Sequence, residues 1–130
     1  MASELRVNTL KDASGNNSVA TSTVFSGSAK FYISNASDQT SILKSFNVSS
    51  LDDDGTGEGG VNLSNNFDGA YYAVTTGVLY NGSAGASDIL VSIESQSSSA
   101  VEVESSFNNA TTNMTFFDRT RFLTGHGDLA

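Results

Sequence analysis

The chain contains no cysteine, and that absence removes disulfides, thiolate metal sites and thiol nucleophiles together. Basic residues are scarce: six Lys and Arg stand against 14 Asp and Glu, for a formal charge of −8. Phosphate backbones and anionic headgroups are gripped by clustered Lys and Arg, so neither nucleic acid nor membrane is an expected partner. No stretch approaches the ~20 apolar residues that span a bilayer. The opening residues carry no basic segment followed by an apolar run, so no secretory leader is expected there. Histidine occurs once, at His126. Apolar residues reach only 38%, which predicts a core that is thin or shared with a partner.

Ser, Thr and Asn fill the gap; together they make up about a third of the chain. Their side chains compete for backbone hydrogen bonds, which disfavours helix interiors and favours turns and strand faces. The 130 residues suit a single domain. Residues 4–10 alternate in a strand-like way, and Lys11 to Ser18 is a dense run of turn formers. After it the chain is polar and small, with Val24 and Phe25 as its only anchors. Residues 1–28 therefore read as an extended N-terminal arm that needs a neighbour to pin it.

From residue 29 the period-two pattern becomes regular. Phe31 and Ile33 alternate with polar residues, as do Phe46 and Val48, Val61 and Leu63, Ile89, Val91 and Ile93, and Val101, Val103 and Phe107. Residues 71–80 are nearly continuous with apolar and β-branched types and predict a central strand. Met114, Phe116 and Phe117 close the set, and residues 121–124 add a last strand. Short strands separated by turn chemistry predict an all-β fold, an antiparallel β-sandwich or compact barrel, over residues 29–130. The one window left open to a short helix is 36–44. The expected core further includes Tyr72, Val74 and Val78.

Candidate sites are few. Asp52, Asp54 and Glu58 are the candidate calcium ligands, because calcium favours several carboxylates on a Gly-bent loop. Their spacing misses the EF-hand pattern, and a plain hairpin loop over 52–60 is the preferred reading. His126 has glycines for neighbours and reads as an exposed tail residue. No Gly-x-Ser-x-Gly elbow occurs among the many serines. Glu102 and Glu104 fall on one face of a strand and read as a wet, aggregation-blocking surface. Seven Asn-x-Ser/Thr triplets, Asn47 among them, are what this composition produces by chance. Tyr32, Tyr71, Tyr72 and Tyr80 are candidate sugar-stacking residues and equally candidate core fillers. No catalytic constellation and no cofactor site is expected.

Three stretches resemble a known repertoire: Leu5-Arg6-Val7-Asn8-Thr9-Leu10-Lys11-Asp12-Ala13-Ser14-Gly15-Asn16-Asn17-Ser18, then Ser45-Phe46-Asn47-Val48-Ser49-Ser50-Leu51-Asp52-Asp53-Asp54-Gly55-Thr56-Gly57, then Phe67-Asp68-Gly69-Ala70-Tyr71-Tyr72-Ala73-Val74. Together they resemble the opening of short tail-fibre-like virion proteins of marine and cyanobacterial tailed phages, departing from them at Gly57-Glu58-Gly59-Gly60. The resemblance implies a virion structural protein, assembled in the host cytoplasm. It implies an arm that anchors to the particle through Leu5, Val7 and Leu10, and a displayed β-domain. The implied partners are other copies of the chain, as a trimer, other virion proteins and a host-surface glycan. A capsid decoration protein or head fibre is the alternative, and a glycan hydrolase a more distant one.

Overall fold

The computed structural model describes residues 6–79, 89–109 and 113–130. The arm is not extended. It doubles back as a hairpin, β1 (Thr9–Lys11) against β2 (Ser18–Ala20), with Leu10 opposite Val19. The Asp12 carboxylate closes the tip, accepting hydrogen bonds from Ser14 Oγ, the Asn16 amide and Asn17 Nδ2. A seven-residue helix follows, α1 (Thr21–Gly27), which has no side-chain cap and no buried residue. So short a helix is marginal by itself. Toward the rest of the chain, His126 Nδ1 donates to the Gly27 carbonyl at 3.3 Å, and Lys30 Nζ donates to the Phe25 carbonyl and lies over the Phe25 ring.

Two antiparallel sheets make up the remainder. The four-stranded sheet runs β4 (Ile42–Phe46), β3 (Phe31–Asn35), β11 (Arg121–His126), β7 (Ala73–Val78). In the five-stranded sheet β5 (Val48–Gly55) pairs β6 (Glu58–Leu63), and β6 pairs β9 (Ala100–Asn109). β8 (Ile89–Gln96) lies along the other side of β9, and β10 (Asn113–Phe116) continues the β6 side where β6 ends. Phe31, Ile33 and Leu123 from one sheet meet Val61, Leu63, Val101 and Val103 from the other, with Phe67 and Tyr72 closing one end. This is the all-β sandwich that the alternation predicts.

Several expectations are corrected. The strand drawn through Phe46 and Val48 is two strands in different sheets, because Asn47 between them adopts a left-handed φ of 56°. Asn tolerates that conformation better than other non-glycine residues. The Asn47 side chain holds the corner, donating to the Lys30 and Asn65 carbonyls and accepting from the Asn65 amide at 2.7 Å. As a result Phe46 is not core: it is 54% exposed and stacks on Tyr32 across the outer face. Ile93, beside a β-bulge, and Met114 and Phe116, on the short strand beyond the core, are also exposed. Residues 73–78 form an edge strand rather than a central one. The window at 36–44 is a turn leading into β4, and the helix lies in the arm instead. His126 is not in a frayed tail but in β11, opposite Ala73.

Candidate functional site

The acidic segment is strand, not loop. β5 and β6 run together up to Thr56 and Gly57, with Asp52 opposite Gly60 and Asp53 opposite Gly59. The glycines are there for closeness. A Cβ on Gly60 would stand 2.0 Å from Glu102 Oε2 and 2.3 Å from the Val101 carbonyl. Gly60 is also opposite Glu102 on β9. A bare backbone thus lies between two carboxylate-bearing strands, and the side chains close over it. Asp52, Asp54 and Glu102 bring carboxylate oxygens within 4.8 Å of one another.

Glu58 does not join this group, which corrects the candidate set Asp52, Asp54 and Glu58; it stands opposite Glu104 instead. Offering one oxygen each, the three carboxylates supply three of the six to eight oxygens that calcium takes. What the group does chemically is favour a proton. Burial pushes the Glu102 carboxyl above its ordinary range, and the neighbouring charges of Asp52, Asp54 and Glu94 push the same way. Glu104 accepts a hydrogen bond from Ser92 Oγ at 2.9 Å.

The tyrosines do not gather into one platform. Tyr32 lies on the outer face of the four-stranded sheet. Tyr72 is core, its hydroxyl donating to the Ala100 carbonyl and its pKa pushed up to about 12 by burial. Tyr71, its neighbour in sequence, is fully exposed. Tyr80, like Leu5 in the arm, lies outside the described residues. Val7 and Leu10 are described, and both are exposed.

At the end of the sandwich a cavity of about 270 Å³ opens beside Tyr71, lined also by Phe67, Tyr72, Asp68, Asp128 and Gly127. Two distant segments build it. The Asp68 amide donates to the Asp128 carbonyl at 2.9 Å, the Ala130 amide donates to the Asn66 carbonyl at 3.0 Å, and Phe67 bridges to Leu129. Beneath lies an aromatic floor, Phe67 and Tyr72 stacked with centroids 3.6 Å apart and planes 7° from parallel. Phe31 meets both edge-on. Tyr71 and Tyr72 were both sequence candidates. Asp68 and Asp128 were not, because only the backbone bridge brings them side by side.

A buried polar cluster also escapes the sequence. Arg121 is 2% exposed between the sheets. Its guanidinium donates to the Val103 carbonyl at 3.0 Å, the Gly59 carbonyl at 3.3 Å and Gln39 Oε1. Gln39, itself at a left-handed φ of 58°, accepts from Asn35 Nδ2 and donates to the Arg119 carbonyl. Burial lowers the Arg121 pKa, against the opposing pull of Asp118, Asp53 and Glu102. The period-two register with Leu123 was the available signal, since both point inward from β11.

No family model, no curated protein and no solved structure matches this chain.

Proposed function

We propose that the chain is a structural protein of a phage virion, a tail-fibre or receptor-binding component. Residues 1–28 attach it to the particle, and the sandwich is displayed. The observation that carries this reading is the arm. Its hairpin and helix bury none of their apolar side chains: Val7, Leu10, Val19, Val24 and Phe25 are all exposed. A folded segment whose apolar residues are exposed gains stability by packing on something else. The sequence resemblance supplies the particle as that neighbour.

The protein acts by contact rather than by chemistry on a substrate. Multiple copies, a trimer in this reading, raise avidity without any new contact per copy. The outer face of the four-stranded sheet, with Tyr32, Phe46 and Phe122 exposed, is suited to pack against other copies.

Deletion of residues 1–28 tests the assignment. The truncated chain is expected to keep its sandwich by circular dichroism and to be lost from purified particles. Normal incorporation of a folded, truncated chain would sink the anchor role. The number of copies per particle separates a fibre from a capsid decoration protein, since one follows tail symmetry and the other the shell.

A further inference from the structure

The cavity beside Tyr71 combines features that together select a class of ligand. It is small: about 270 Å³ lies just under the roughly 300–1,000 Å³ of sites that enclose drug-sized molecules, so it holds one ring-sized group. Its aromatic surface is a single free face. Phe67 and Tyr72 are buried and stack on each other, and the exposed ring of the lining is Tyr71. Its lining includes two acidic residues, Asp68 and Asp128, whose backbones are joined by the hydrogen bond from the Asp68 amide to the Asp128 carbonyl.

An ammonium cage needs several ring faces turned toward the cation, and of the lining rings Phe67 and Tyr72 are buried while Tyr71 is exposed. An acidic ligand would meet two carboxylates on a protein of charge −8. A neutral sugar ring suits what remains. Its C–H face lies on one aromatic face, and its rim of hydroxyls donates to carboxylate oxygens, which accept only. The two glycines of the lining differ in their surroundings. A Cβ on Gly127 would stand 2.8 Å from Tyr72 Cβ and 3.2 Å from the Phe67 ring, whereas one on Gly69 would meet nothing within 4 Å.

We infer that this cavity binds a neutral pyranose, with Tyr71 as stacking platform and Asp68 and Asp128 as hydroxyl acceptors. The inference rests on the reading of the sandwich as the displayed, ligand-contacting half of the chain.

The test is titration of the purified full chain with the methyl glycosides of glucose, galactose and mannose, with glucuronate and choline as the acidic and cationic probes. The readouts are the amide chemical shifts of Gly69 and Gly127 and tyrosine fluorescence, which no tryptophan obscures. At least one neutral glycoside is expected to shift both amides saturably. Tyr71→Ala should abolish the shifts with unchanged thermal unfolding, Asp68→Asn and Asp128→Asn should each weaken them, and Tyr32→Ala should leave them intact. Absence of any shift with all three glycosides, a response to choline or glucuronate alone, or shifts that survive Tyr71→Ala would overturn the site. Incorporation of Tyr71→Ala chains into particles is scored separately. An unmutated chain that binds none of the glycosides yet attaches normally refutes this inference alone, whereas attachment that survives loss of the arm refutes the anchor reading alone.

Discussion

Asp52 and Glu102 face each other across Gly60, one residue on each flanking strand in register with it. The relationship stores unfavourable charge. The Glu102 carboxyl is raised above its ordinary range by burial first and by Asp52, Asp54 and Glu94 after that. A carboxyl raised in the folded state contributes stability that is fully present below its unfolded pKa and is lost as pH rises through the folded value. Acidification from neutrality into the ordinary carboxylate range is therefore expected to stabilise the sandwich. Glu102→Gln should raise the melting temperature at neutral pH and flatten that gain. Equal pH dependence in the variant and the parent would show that Glu102 is not its source.

The opposite sign applies to Asp12 and Asp38. Hydrogen bonds hold both carboxyls below their ordinary range, Asp12 chiefly through the Asn17 side chain and Asp38 chiefly through the Ser41 hydroxyl. Their contribution is present above the unfolded value and is lost as pH falls through the depressed one. The two effects occupy different windows, so a plot of melting temperature against pH should rise on mild acidification and turn down at lower pH. Asp38→Asn should soften the downturn without altering the rise.

Arg121 is the interior group whose loss should be felt most. Removing it takes a charged donor from the Gly59 and Val103 carbonyls, which stand opposite each other in the β6–β9 ladder, and from Gln39 Oε1, and a hydrogen bond to a charged group contributes about 1.5–3 kcal/mol. Arg121→Met keeps most of the volume and is expected to lower the denaturation midpoint by several times the shift from Lys44→Met on the exposed β4. Similar midpoints for the two variants would mean that the guanidinium is replaceable by apolar packing, as some buried charges are.

Phe31 and Phe46 separate what alternation can and cannot read. The pattern holds wherever one strand keeps one buried face, as in Phe31, Ile33 and Asn35 on β3 or Arg121, Leu123 and Gly125 on β11. It fails at Asn47, where one left-handed residue moves the chain between sheets without leaving a mark in the hydrophobic sequence. The Gly-rich run after Asp54 reads as a loop for a related reason. Turn chemistry and close strand packing both call for glycine, and only the partner strand distinguishes them. Arg121 was hidden by its charge, which ordinarily marks a surface position. Asp68 and Asp128 were hidden by their separation along the chain. In stability terms, Phe31→Ala is expected to lose about 3–5 kcal/mol, and Phe46→Ala no more than its stack on Tyr32, about 0.5–1.5 kcal/mol. Comparable losses in urea denaturation would place Phe46 in a core after all.

Gly125 and Phe31 provide the closest test of the packing beneath the candidate sugar site. They are paired across β11 and β3, and a Cβ on Gly125 would stand 2.1 Å from the Phe31 ring. That ring has little room to yield, since it is fully buried and meets Phe67 and Tyr72 edge-on at centroid distances of 6.2 and 6.4 Å. One added methyl group must therefore displace the ring or spread the strands, an overpacking that costs about 1–3 kcal/mol. Gly125→Ala should be destabilising by that amount. Phe31→Leu, which removes part of the ring, should be destabilising alone and yet less so in the Gly125→Ala background. The coupling between the two changes, read from a double-mutant cycle of urea midpoints, is expected to be favourable and well above the ~0.3–0.5 kcal/mol scatter of independent sites. Because Phe31 abuts the stacked pair, Gly125→Ala should also shift the amide of Gly127, which packs against Tyr72 and Phe67. Strict additivity, with that amide unmoved, would show that the two residues are not in contact and that the aromatic floor is set by something else.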